Sequence, residues 1–173
     1  MVQRTPGTPP TGAQAAGGAH GRSPGRDTLR MALCCGLLGA GFGAGVGWNA
    51  IGAGYELLWL PAMLAAAGVG GLSWRVFVAG RPTGGLWRGL LVGAATGAVA
   101  HYVCWYLMIL GVNLCAWTTD GCRSSLGELP IDPLNGLWGA AVLTAGSLLL
   151  LGPLTVPAGA LAGVLCGWWQ RRP

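Results

Sequence analysis

The sequence contains no lysine and only five acidic residues among its 173. Charged side chains make up 9% of it, against about 25% in a soluble domain. That scarcity excludes a surface solvated by water alone. Missing too are a GxSxG elbow, a phosphate loop, an HExxH pair and paired carboxylates within an apolar run. Each missing constellation removes a route to catalysis, so the reading is a non-enzyme with no cofactor and no metal site. Gly41 and Gly43 only loosely match a dinucleotide fingerprint, and no strand precedes them.

What is present in excess is apolar surface and glycine. Hydrophobic residues reach 53% and glycine numbers 33. No collagen period runs through the chain, and its apolarity argues against disorder of the whole. Helices packed closely in lipid account for both features. All ten basic residues are arginine, which, with abundant Ala, Gly and Pro, points to a GC-rich bacterial genome.

The polarity pattern divides the chain. Residues 1–30 are rich in Pro, Gly and Thr and have too few large apolar side chains to offset ordering entropy, so a disordered tail is expected there. Residues 31–173 hold four apolar blocks, about 31–48, 57–74, 89–111 and 148–169, near the 20 residues that a span needs. A turn at 49–56, an arginine-bearing loop at 75–88 and a longer polar loop at 112–136 separate them. Residues 137–147 extend the last span or lie at the interface. The fold class is an all-α membrane protein with four transmembrane helices in two hairpins.

Charge placement orients these spans. One side carries Arg4, Arg22, Arg26, Arg30, Arg75, Arg81, Arg88, Arg171 and Arg172 against Asp27. The other carries Arg123 against Glu56, Asp120, Glu128 and Asp132. The positive-inside rule puts both termini in the cytoplasm, and the location expected is a bacterial cytoplasmic membrane. Anionic headgroups account for the arginines without nucleic acid. Trp74, Trp87, Trp168 and Trp169 fall near the inner interface and Trp48, Trp117 and Trp138 near the outer one, an expected aromatic belt.

Glycine recurs at helical spacing. In the first span Gly39, Gly43 and Gly47 share one row, and Gly41 and Gly45 form a second on roughly the opposite face. Gly89, Gly93 and Gly97 line the third span, and Gly159, Gly163 and Gly167 the fourth. Ala62, Ala66 and Gly70 make a weaker row in the second. Small residues let backbones approach in lipid. The rows serve packing inside one bundle or assembly between subunits. A faint echo also aligns Pro61 with Pro157 and Gly71 with Gly167, a pattern that a duplicated hairpin would leave.

Few residues carry chemistry. His101 continues the Gly89–Gly93–Gly97 row about 18 Å from the inner end, and an ionisable residue at that depth is a functional candidate. It serves a proton or substrate path, or a bond to another helix. Glu56 sits in the first outer turn, at a pore mouth or simply solvated. Cys115 and Cys122 share the outer loop, where a disulfide is expected on an oxidising side. Cys34, Cys35 and Cys166 lie at one depth without a fixed common face. The chain resembles the four-span thiol oxidases in size and span number only; the Cys-x-x-Cys such an enzyme requires is missing from Asn49–Glu56.

The function these residues imply is that of a non-catalytic membrane subunit assembling with itself or with other membrane proteins through its glycine faces. The alternative is a small oligomeric channel or transporter with His101, and Glu56, on its path. The partners expected are the lipid bilayer and other transmembrane helices.

Overall fold

The computed structural model describes residues 24–49, 57–79, 86–119, 122 and 130–170. They form four helices: α1 (Pro24–Asn49), α2 (Trp59–Phe77), α3 (Leu86–Thr119) and α4 (Pro133–Trp169). All four are long and apolar enough to cross a membrane, and no strand occurs among the described residues. The protein is a multi-pass, all-α membrane protein. Glu56 and the arginines at 4, 22, 81, 123, 171 and 172 lie outside the described residues, as does most of the expected disordered tail.

Local chemistry sets helix ends that differ from the sequence expectation. The first span was expected to begin at 31, yet α1 begins at Pro24. Proline suits a first-turn position because its missing N–H would have no helical partner, and Asp27 in the first turn complements the positive helix end. At the other end the Asn49 side chain donates to the Gly45 carbonyl at 2.7 Å. In α4 the Asp132 carboxylate accepts from the amides of Leu134 at 2.8 Å and Asn135 at 3.4 Å, ahead of Pro133. This cap starts a single unbroken helix. Residues 137–147 therefore belong to α4, and the outer loop expected at 112–136 contracts, because α3 also runs on to Thr119.

The hairpins are unequal. α3 and α4 have 34 and 37 residues, about 51 and 55 Å at 1.5 Å per residue. α1 and α2 have 26 and 19. Each hairpin packs extensively within itself, α2 lies against α3, and α1 meets α4 only briefly.

The core is small-residue contact rather than large apolar side chains. Met31, Cys35, Ala66, Trp74, Val78, Val92 and Cys166 form its one buried cluster. Trp74 is fully buried, with its ring beside Gly89 and Gly167. It is therefore not an interfacial anchor; Trp48, Trp87, Trp117 and Trp138 are exposed. The duplicated-hairpin echo places Pro61 in the first turn of α2 but Pro157 in the interior of α4.

Candidate functional site

The glycine rows determine where the helices touch. Gly89 and Gly163 each lie against the other's carbonyl oxygen, as do Gly93 and Gly159. A methyl carbon on Gly97 would stand 2.6 Å from the Thr155 carbonyl oxygen. These pairs step along two antiparallel helices four residues at a time, with backbone against backbone. In the other hairpin a methyl carbon on Gly39 would meet the Ala62 carbonyl oxygen at 2.5 Å, and one on Gly43 the Leu58 oxygen at 2.9 Å. Gly47 is half-buried near the end of α1, and Gly167 makes ordinary contacts at 3.9 Å with Leu86 and Trp74. Gly41 and Gly45 differ from all of these: each is exposed, with nothing within 4 Å of where a methyl would stand.

One step beyond Gly97 the row ends in His101, opposite Leu151. The imidazole is too large to repeat the glycine contact. It reaches one turn along α4 in each direction: Nδ1 lies 3.0 Å from Ser147 Oγ and Nε2 2.8 Å from Thr155 Oγ1. One further turn along α3, Trp105 donates its indole N–H to the same Ser147 oxygen at 3.1 Å. Ser147 Oγ also stands 3.1 Å from the Thr144 carbonyl, and Thr155 Oγ1 3.1 Å from the Leu151 carbonyl. The sequence placed His101 at depth but did not name its partners. The detectable signal was the eight-residue spacing of Ser147 and Thr155, which places them one turn either side of Leu151 and about 40° around the helix from it.

At this level the two hairpins separate. A cavity of about 130 Å³ opens between them, reached by residues of all four helices. Leu38, Phe42, Ala62, Ala100, Leu151 and Ala158 represent its mostly apolar wall; Thr96, His101, Trp105, Ser147 and Thr155 bring polar atoms to it. Among the described residues no Asp, Glu, Lys or Arg lines it. A more open groove holding Gly41, Gly45 and Asn49 adjoins it, and Phe42, Val46 and Leu151 border both.

Comparison with known proteins finds no matching family model, no similar curated protein and no similar solved structure. Function must be argued from the site.

The cysteines separate into three places. Cys115, in the last turns of α3, is joined to Cys122 with Cα atoms 5.7 Å apart. Cys35 and Cys166 are buried in the core with the half-buried Cys34 packed against it, and the Cys35 thiol lies 3.9 Å from Met31 Sδ. Cys104 borders the cavity. Among the described residues no three His, Cys, Asp or Glu side chains are grouped to hold a metal.

Proposed function

We propose that the protein is a non-catalytic membrane protein that binds a small, uncharged, largely apolar molecule from the bilayer between its two hairpins. The observation that carries this reading is the cavity beside His101. A volume of about 130 Å³ is close to that of apolar cavities that stay dry and take up benzene-sized guests. The uncharged lining favours a neutral guest, because an ion entering it would lose hydration without gaining a counter-charge. His101 serves this site as a wall element fixed by hydroxyls on both sides. A carrier role, with His101 beside the path, follows if the guest exchanges through the adjoining groove. The arginine asymmetry supports cytoplasmic termini, which would place that groove on the outer side.

The test is native mass spectrometry of the protein released from lipid nanodiscs made with its own host membrane. A bound small molecule is expected on the wild type and should be lost in Ala100→Phe, which fills the cavity. An empty wild-type protein that also fails to take up added toluene would overturn the reading.

A second reading rests on Gly41 and Gly45. Glycine costs about 1 kcal/mol relative to alanine in a helix, and a lipid-facing position gains nothing from it. Two such residues on one open face of α1 support a neighbouring helix packed there, in keeping with assembly as the protein's role. The mass of the intact particle in nanodiscs decides it: a defined oligomer lost in Gly41→Leu supports assembly, and a monomer excludes self-association.

A further inference from the structure

The hydrogen bonds around His101 limit what the cavity can recognise. Four polar hydrogens belong to this cluster: one each on Trp105 Nε1, the neutral imidazole, Ser147 Oγ and Thr155 Oγ1. Suppose Nδ1 carries the imidazole proton. It donates to Ser147, Ser147 donates to the Thr144 carbonyl, Thr155 donates to Nε2, and Trp105 donates to Ser147. Suppose instead that Nε2 carries it. It donates to Thr155, Thr155 donates to the Leu151 carbonyl, Ser147 donates to Nδ1, and Trp105 again donates to Ser147. Either way every hydrogen is used. What differs is only which way the two hydroxyls turn.

Acceptor capacity is not used up. A hydroxyl oxygen has two lone pairs, and Thr155 Oγ1 accepts at most one hydrogen bond in either arrangement. Thr96, across the cavity wall, gives its hydrogen to the Val92 carbonyl at 2.8 Å, so its oxygen is likewise left only to accept. The remaining thiol hydrogens, on Cys35 and Cys104, are weak donors, and that of Cys35 faces Met31. Among the described residues the wall therefore offers free acceptors, and a strong donor only where a hydroxyl gives up a bond it already makes.

We infer that the cavity selects neutral apolar molecules that carry a hydrogen-bond donor, an alcohol or a phenol, over molecules of the same shape that only accept. The inference rests on the binding reading above. A guest hydroxyl donating to Thr155 Oγ1 extends the chain through His101 and Ser147, and each bond in such a chain polarises the next. A guest that can only accept takes a hydroxyl hydrogen from an existing partner or leaves its own polar atom unsatisfied, so it gains no net hydrogen bond.

The experiment compares phenol, fluorobenzene and toluene, which are close in shape. Binding to the full chain in nanodiscs is measured by ligand-observed NMR and corrected for partition into protein-free nanodiscs. Phenol is expected to bind about tenfold more tightly than either partner, the worth of one buried hydrogen bond. In the double variant His101→Phe, Thr155→Val, checked for folding by circular dichroism, that advantage should fall to within about twofold, because Thr155→Val alone would bare the imidazole Nε2 as a new acceptor. Equal binding of all three to the wild type, or a phenol preference that survives in the double variant, would overturn the inference while leaving the cavity reading intact. Failure of toluene and phenol alike to bind would remove both.

Discussion

Gly93 and Gly159 lie so close that neither has room for a β-carbon beside the other's carbonyl oxygen. Gly89 with Gly163 repeats the contact one turn away, and Gly97 against Thr155 continues it. Lipid supplies little hydrophobic drive between helices, so this contact between backbones is a main source of cohesion for the hairpin. Gly93→Leu should therefore cost about 3 kcal/mol or more, above the usual range for overpacking, since backbone rather than a side chain must yield. Equilibrium unfolding in mixed micelles measures it. A loss under about 1 kcal/mol would show that the α3 and α4 backbones are not held by this contact.

Gly41→Leu should behave in the opposite way. Nothing stands within 4 Å of the added group, and leucine is the better helix former. The unfolding free energy of the monomer should stay the same or rise by about 0.5 kcal/mol. A marked loss would mean that α1 presents this face to its own bundle.

The spans and glycine rows were legible because both depend on periodicity and polarity, which are written locally. Which rows face inward was not, since that depends on how the hairpins meet. The extent of α4 stays open in the sequence for another reason: an apolar run longer than one span needs fits an extended helix or an interfacial segment equally well. The Asp132 cap ahead of Pro133 decides for one continuous helix, which also passes through Pro153 and Pro157, and that continuity brings Ser147 to His101. Trp74 illustrates the same limit: its place beside Arg75 suits an interfacial anchor, but its direction around the helix decides, and it points into the core.

Ser147 Oγ accepts from Trp105 and is also hydrogen-bonded to His101 Nδ1, so the two contacts should not be independent. A double-mutant cycle of Ser147→Ala and Trp105→Phe in micelles should give a coupling of about 0.6 kcal/mol, typical of interhelical hydrogen bonds. A coupling indistinguishable from zero would reduce the indole contact to coincidence. Ser147→Ala alone should cost more than Trp105→Phe alone, about 1 kcal/mol more, because it leaves both the indole N–H and the imidazole Nδ1 without this partner.

The Cys115–Cys122 bridge closes a loop seven residues apart in sequence. A loop of this size is worth about 2.5 kcal/mol in chain entropy. Cys115→Ser should lower unfolding stability by up to about that much. In intact cells an impermeant maleimide should label Cys115 and Cys122 only after reduction, and labelling before reduction would contradict a bridge on the outer side.

Asp132→Ala removes the acceptor for the amides of Leu134 and Asn135. The expected cost is about 1 kcal/mol, and hydrogen exchange should quicken in the first turn of α4 while Gly159 and Gly163 stay protected. Exchange unchanged at Leu134 and Asn135 would show that Pro133 alone sets the start of the helix.

The longer hairpin extends well past the shorter one at the end where Asp132 caps α4 and Cys115 is tied to Cys122. Two continuous rods thus run from an exposed tip, through the level of His101 and Ser147, to the tight glycine contacts. No helix break separates that tip from the cavity wall, so any displacement of the tip would be carried along α3 and α4 to Ser147 and His101. Because α1 touches α4 only briefly, the seam between α2 and α3 is what holds the two hairpins together.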